Sequence, residues 1–195
     1  MKAMLVIEGE HRALAAVLHG LRYHVGEIAS QRAAPNFPLL GAMIYYIDAF
    51  PERLHHPKED GYLFARLEER HPPARALIDR LRREHQIGAL KVRELEQALT
   101  RFEQGGEAKF TAFASAVEDF IAFERNHMRC EELEVFPLAE AHLSPDDWKV
   151  IDAAFTANAD PLVGVEVRDE MRELFTRIVN LAPPPIGVGP AARRA

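Results

Sequence analysis

The sequence has little of several features that would point to other classes of protein. It contains one cysteine, Cys130, so no disulfide can form within the chain. No run approaches the roughly 20 apolar residues that a membrane-spanning helix needs, which argues against a membrane partner. Acidic residues outnumber basic ones by 30 to 24, so no broad positive field is present to attract nucleic acid. The opening residues MKAMLVIEGEHRALA lack the long apolar core of a secretion signal, and with the single cysteine this predicts a cytoplasmic location.

Histidine, by contrast, is abundant. The chain has nine histidines in 195 residues, in an otherwise ordinary composition of 48% hydrophobic and 28% charged residues. This length and composition predict one domain with a substantial core and room for a small appendage. Composition alone does not explain the histidines, so their positions along the chain have to be considered.

Apolar residues recur at spacings of three and four along four long stretches, which is typical of amphipathic helices in a bundle. The stretches are about 4–29, 39–70, 74–103 and 107–141. The breaks between them are AAPNFP at 33–38, HPP at 71–73 and the pair Gly105-Gly106, all rich in residues that end helices. Four long helices with short connections predict an all-α protein with an up-down-up-down four-helix bundle over residues 1–142.

Two additional C-terminal helices are predicted in an extension over residues 143–182. The run SPDD at 144–147 combines a helix N-cap, a proline at the first helical position and an acid at the third, which predicts the start of a short fifth helix. An amphipathic stretch at about 165–181 predicts the sixth helix. Residues 183–195 are rich in proline and glycine and are predicted to be a disordered tail.

Each of the four bundle stretches carries one histidine on its predicted inward face. These are His11, His55, His85 and His127. Two of them begin the same pattern, HHPKEDGYLF from His55 and HMRCEELEVF from His127, in which glutamate follows after four residues, a second acid comes next, and phenylalanine stands nine residues after the histidine. Four residues make one helical turn, a rise of about 6 Å, so the imidazole and the carboxylate point to one place.

A metal site explains this pattern better than a structural role. A single inward histidine is usually a hydrogen-bonded core residue, but carboxylates inside an apolar bundle are costly without a cation. No lysine or arginine lies on the inward stripes to supply one. Four imidazoles and two carboxylates exceed what one tetrahedral zinc takes and suit two ions that share carboxylates. The predicted ligands are His11, His55, Glu59, His85, His127 and Glu131, and the favoured cofactor is a pair of iron ions, with manganese or zinc as alternatives.

Two assignments stay open from the sequence. His56 and Asp60 form a competing pair at the same spacing, one residue further along the chain. The repetition of the His55 pattern at His127 favours His55 as the ligand and places His56 behind the ligands or at the surface. Glu124 stands one turn before His127, where it is a ligand, a hydrogen-bond partner of a ligand imidazole or a proton relay, and a place behind the ligands is favoured.

The segments HHPKED…LF and HMRCEE…VFP, together with an early Glu10-His11 and a mid-helix Glu84-His85, resemble the hemerythrin-like HHE cation-binding domain family over about residues 4–140. The resemblance implies a four-helix bundle around an oxo- or hydroxo-bridged di-iron centre, with the six predicted ligands in place and the two glutamates as bridges.

The chain also departs from part of that family. Oxygen-carrying hemerythrins have a second histidine one turn after the ligand of the third helix, where this chain has Ala89. Fewer imidazoles leave a coordination position for water, oxygen, peroxide or nitric oxide, and Gly88 is expected to leave space there.

The sequence thus predicts a metal-binding protein that interacts with a small diatomic or peroxide ligand at a carboxylate-bridged iron pair. The alternatives are an iron- or oxygen-responsive regulatory or interaction module, a catalyst that reduces peroxide or nitric oxide, an iron-centre repair protein, and a cation site that only stabilises the fold. No substrate pocket or separate nucleophile is visible in the sequence, so enzymatic activity is left open, as is a homodimer.

Overall fold

The computed structural model describes residues 1–156, Thr176, 178–182 and Ile186. This part of the chain is helical and contains no β-strand, which confirms the all-α prediction. Most of the helix predicted at 165–181 and all of the tail predicted at 183–195 except Ile186 lie outside the described residues. Within the described residues, no helix is both long enough and apolar enough to cross a membrane.

Five helical segments make up most of residues 1–156. Helix α1 spans Lys2–Ala29. Helix α2 covers residues 37–70 and consists of α-helical parts Phe37–Ile47, His56–Lys58 and Ala65–Arg70, separated by π-helical turns at Asp48–His55 and Glu59–Phe64. After a 3-10 turn at Pro72–Ala74, helix α3 spans Arg75–Gly105. Helix α4 covers residues 107–142 as Glu107–Cys130, a π-helical turn at Glu131–Val135, and Phe136–His142. Helix α5 spans Pro145–Thr156.

The predicted signals at helix ends are present as hydrogen bonds and backbone angles. Gly106 has φ 61°, a left-handed conformation that glycine adopts readily, and it reverses the chain between α3 and α4. At the start of α5 the backbone N–H of Asp147 donates to Ser144 Oγ over 3.2 Å, and the backbone N–H of Ser144 donates to Asp147 Oδ2 over 3.0 Å. This reciprocal pair confirms the helix start predicted from the run at 144–147.

Helix α5 is attached to the end of α2 by one arginine. Arg70 donates to both oxygens of the Asp147 carboxylate, from Nε over 2.8 Å and from Nη2 over 3.0 Å. Hydrogen bonds from Arg70 and Ser144 hold the pKa of Asp147 well below its ordinary value of 3.8. Because the pKa is depressed in the folded state, this attachment stabilises the protein above that value and weakens as the pH falls further.

The apolar core is divided into two clusters along the helices. One cluster fills the region between Leu14 and Val25 of α1 and the facing parts of α2, α3 and α4. The other lies at the opposite end, from Ala3 to Ile7 of α1 across to Phe155 of α5. Buried histidine or glutamate residues stand between the two clusters in sequence on all four helices, as Glu10 and His11 on α1, His55, His56 and Glu59 on α2, His85 on α3 and Glu131 on α4. A polar layer therefore separates two apolar ones.

Continuing the spacing of three and four past His55 and Glu59 predicts that Tyr62 lies on the inward face of α2, and the structure shows that this prediction is wrong. Its side chain is 42% exposed, whereas Leu63 and Phe64 are fully buried. The π-helical turn Glu59–Phe64 is wider than an α-helical turn, so the side chains that follow Glu59 are rotated away from the positions that a regular helix gives them.

Candidate metal centre

All six predicted ligands are buried in the polar layer, none more than 6% exposed. Their donor atoms fall into two groups, in each of which all the atoms lie within 4.8 Å of one another. One group is His11, His55, Glu59 and Glu131, and the other is His56, Glu59, His85 and His127. Glu59 belongs to both groups, so the two potential cation positions are adjacent.

The two glutamates lie between the groups. Glu131 Oε2 is 3.3 Å from His11 Nε2, and Glu131 Oε1 is 3.3 Å from His127 Nε2. Glu59 Oε1 is 3.3 Å from His55 Nε2, and its Oε2 is 3.6 Å from His85 Nε2. Each carboxylate thus directs one oxygen to each group, which is the placement that bridging between two ions requires.

His56 belongs to the cluster, contrary to the expectation that it stands behind the ligands or at the surface. It is 4% exposed, its ring is stacked on the His85 ring at a centroid distance of 4.1 Å, and it contributes a nitrogen to the second group. Asp60, its competing partner in the sequence, instead accepts a hydrogen bond from His85. The cluster therefore contains five imidazoles and two carboxylates.

The local geometry of α2 explains why His55 and His56 both face inward. Consecutive residues of a regular α-helix point about 100° apart, but His55 ends one π-helical turn and Glu59 begins another. Wider turns reduce the angle between consecutive side chains. The available sequence signal was the doubled histidine between Pro51 and Pro57, because proline on both sides makes a regular helix there unfavourable.

Carboxylates hold the outer nitrogens of four histidines. Glu10 Oε2 accepts from His55 Nδ1 over 2.6 Å and Asp60 Oδ1 from His85 Nδ1 over 3.0 Å. Glu84 Oε2 accepts from His127 Nδ1 over 3.0 Å and Glu132 Oε1 from His11 Nδ1 over 2.9 Å. With Nδ1 donating outward, Nε2 is directed to the centre, where it can bind a cation once its proton is displaced.

These four hydrogen bonds form a closed ring around the helices. On α1, α2 and α3, one acid accepts a hydrogen bond from a histidine of the next helix in sequence. The acid of α4 accepts one from the histidine of α1, which closes the ring. The second acid of each repeated motif, Asp60 or Glu132, is therefore a partner for a histidine on another helix.

The phenylalanines of the two repeated motifs pack on histidine rings. Phe64 is stacked on His85 at a centroid distance of 5.6 Å, and Phe136 is stacked on His11 at 6.2 Å. Phe155 of α5 meets the His55 ring edge-on at 6.5 Å. The imidazoles are thus held between carboxylates on one side and apolar rings on the other, which fixes their orientation.

The donor atoms at the centre fit a bound cation. Among the described residues, His11 Nε2, His85 Nε2, His127 Nε2 and all four oxygens of Glu59 and Glu131 are buried without a hydrogen-bond partner. In the same part of the chain, the ion-pair partners of these two glutamates are imidazoles alone. Buried polar atoms are rarely left unpaired, and a cation between these converging lone pairs would satisfy them together.

Charges at the centre are balanced by protons when no metal is bound. Burial lowers the pKa of His85 and His127, but neighbouring carboxylates outweigh it and raise these values to about 9 and about 12. Burial raises the pKa of Glu131, but His127 and His11 outweigh it and hold that pKa well below its ordinary value. Burial and the imidazoles of His85 and His55 hold the pKa of His56 well below 6.5. A metal entering this site must therefore displace protons from His85 and His127.

Gly88 was expected to leave space for an external ligand, but that space is already filled. A Cβ built at position 88 would lie 2.9 Å from Glu52 Oε1 and 3.5 Å from Glu124 Oε1, so two carboxylates occupy this place. Glu124 lies outside both ligand groups, and among the described residues neither of its oxygens has a hydrogen-bond partner, so it does not hold a ligand imidazole by a hydrogen bond. Burial and the nearby Glu124 raise the pKa of Glu52 to about 8.

Comparison with known proteins gives one match. The family model described as the Hemerythrin HHE cation binding domain matches residues 5–139, a range that contains every residue of the cluster. No curated protein and no solved structure gives a significant match.

Proposed function

Because the chain belongs to the hemerythrin HHE cation-binding domain family, we propose that it is a non-haem di-iron protein that interacts with oxygen, peroxide or nitric oxide at a carboxylate-bridged iron pair. The observation that carries this proposal is the pair of ligand groups that share carboxylates. A mixed set of imidazoles and carboxylates is the usual ligand set of non-haem iron.

The up-down-up-down four-helix bundle over residues 1–142 is part of the proposal. It is supported by the ring of hydrogen bonds, which links helices that follow one another in sequence and then α4 back to α1. In an up-down-up-down bundle, these are the helices that are neighbours.

The proposed ligands differ between the two ions. His11 and His55 would hold one ion, His56, His85 and His127 the other, and Glu59 and Glu131 would bridge them. The ion at His11 and His55 has fewer protein ligands, so an external ligand would bind there. When bound, the iron pair supplies a vacant coordination position and reversible cycling between ferrous and ferric states.

The rest of the site controls orientation and water. The acids that accept from Nδ1 keep each of their imidazoles in the tautomer that offers Nε2 to a metal. Phe64, Phe136 and Phe155 cover the rings of His85, His11 and His55, which limits the approach of bulk water. A groove of about 560 Å³ between α3 and α4 reaches His127 and Glu84 from the surface, on the side of the ion that His56, His85 and His127 would hold.

Metal analysis with an absorption spectrum tests the proposal. Protein purified in air is expected to contain about two iron ions per chain and to absorb in the near ultraviolet, as a bridged diferric pair does. Zinc would give no such band. A protein that holds no transition metal after reconstitution with ferrous iron, or that holds iron without this absorption, would contradict the proposal. Reversible oxygen binding or steady peroxide consumption then separates a carrier from a catalyst.

A regulatory module is the second candidate, because α5 touches the site. Phe155 meets the His55 ring, and Asp152 Oδ1 accepts from the backbone N–H of Ala3 over 2.7 Å. Metal bound at His55 would therefore restrain α5. Amide hydrogen exchange in α5 is expected to slow when metal is added, and Phe155→Ala should remove this difference while Val150→Ala, on the exposed face of α5, should keep it. Equal exchange with and without metal in the unmodified protein would count against this role.

A further inference from the structure

A second acidic group lies beside the metal cluster, next to His56. The Glu52 side chain is 5% exposed and Glu124 is 1% exposed. Glu52 Oε1 and both oxygens of Glu124 have no hydrogen-bond partner among the described residues. In that part of the chain no lysine or arginine forms an ion pair with either acid, and the basic group that faces Glu52 is the His56 imidazole. Neither acid is used by the proposed metal pair.

Gly88 provides the room that brings these acids together. A Cβ at this position would lie 2.9 Å from Glu52 Oε1 and 3.5 Å from both Glu124 Oε1 and Phe123 Cε1. A contact of 2.9 Å is closer than carbon and oxygen tolerate, so any side chain here would push Glu52 away. Glycine therefore allows one oxygen of each acid to face the same small space from α2 and α4.

His56 is directed at this group in a way that the other histidines do not share. Its side chain is 6% exposed, and its Nδ1 lies 3.5 Å from Glu52 Oε2 without forming a hydrogen bond. The four carboxylates of the ring instead approach their histidines at 2.6 to 3.0 Å. Glu52 thus does not fix the orientation of the His56 ring by a hydrogen bond, and Glu52 Oε1 is available for another interaction.

We propose that Glu52 and Glu124 form a third cation site, which takes a divalent transition ion such as Mn²⁺ or Fe²⁺ with water completing the coordination. Hard divalent ions prefer carboxylate and water oxygens, and a cation here would give the unpartnered buried oxygens of both acids a partner. In this site His56 Nδ1–H faces Glu52 Oε2 and links the third cation to the pair. The inference rests on the proposed function, since His56 is also a ligand of the pair. The third ion is bound more weakly, because it has fewer protein ligands and is close to two other cations.

Counting bound Mn²⁺ by equilibrium dialysis tests this site. The unmodified protein is expected to bind about three ions at saturation and Glu124→Gln about two, with the two tighter ions unaffected. Glu140→Gln changes an exposed acid on the same helix and should still bind three. Gly88→Ala is a second variant, which should also bind two because its methyl group displaces Glu52. Thermal melting of each variant checks that it is folded.

The outcomes separate this inference from the proposed function. Two ions in the unmodified protein, or three in both Glu124→Gln and Gly88→Ala, would overturn the third site and leave the pair intact. An unmodified protein that binds no Mn²⁺ and no Fe²⁺ would overturn both.

Discussion

Glu131→Gln is expected to leave the protein folded and unable to hold the proposed metal pair. The two oxygens of Glu131 approach His11, His85 and His127 at 3.3 to 3.6 Å, so one substitution affects both ligand groups. The amide keeps the volume of the side chain but loses the charge and one acceptor oxygen. Even partners behind metal ligands are worth roughly 10- to 100-fold in affinity, so a loss of at least about 100-fold is expected for the bridged pair. Metal content after gel filtration measures it.

Glu134→Gln is a suitable control for this substitution. Glu134 lies three residues further along α4 with its side chain 55% exposed, and its replacement should leave the metal content unchanged. A Glu131→Gln protein that retains both ions with the original spectrum would remove the bridging role from the proposal.

The same substitution has a second readout when no metal is present. Burial lowers the pKa of His127, and Glu131 is the main group that raises it to about 12. A raised pKa means that the His127–Glu131 interaction is complete below the ordinary histidine value of 6.5 and is lost as the pH rises through the folded value. Without Glu131, the pKa of His127 should fall well below 12, and an NMR titration of the metal-free variant detects the change.

His56→Ala is expected to weaken binding of one ion of the pair selectively. The group of His56, Glu59, His85 and His127 would lose one imidazole, while the group containing His11 and His55 keeps all its donors. We expect affinity for one ion to fall by about 100-fold or more and the other to change little. Competition with a chelator of known affinity, followed by metal analysis, separates the two ions.

His19→Ala provides the matched control, because His19 is exposed on α1. If His56→Ala bound both ions as tightly as His19→Ala, the ligand set would be the four histidines that the motif spacing alone indicates.

Sequence spacing predicts the placement of side chains correctly where a helix is regular. Spacings of three and four predicted α1, α3 and six of the seven residues that meet in the buried cluster, because most of each helix has the α-helical repeat on which that reasoning depends. In α2 the repeat is interrupted twice by π-helical turns. The placement of His56 behind the ligands or at the surface and the inward placement of Tyr62 both come from applying the regular repeat across these turns.

Other parts of the site depend on contacts between helices, which spacing within one helix does not contain. Glu10 and Glu84 are visible in the sequence directly before His11 and His85, but their partners are His55 and His127 on the following helices. The meeting of Glu52 with Glu124 beside Gly88 is of the same kind. Pairings of this type become visible only when the packing of the helices is known.

The acid and histidine motifs occur in the same order on α1 and α2 as on α3 and α4. Helices α1 and α2 contribute Glu-His and then His-x-x-x-Glu-Asp, and α3 and α4 contribute Glu-His and then His-x-x-x-Glu-Glu. The centre is thus approximately twofold symmetric, as if two equivalent helical hairpins each supplied half of it. His56 breaks this symmetry, because the corresponding position on α4 is Met128, which is buried but offers no imidazole. Two ions held here would therefore be chemically distinct from the outset, with different electron density and different redox potentials.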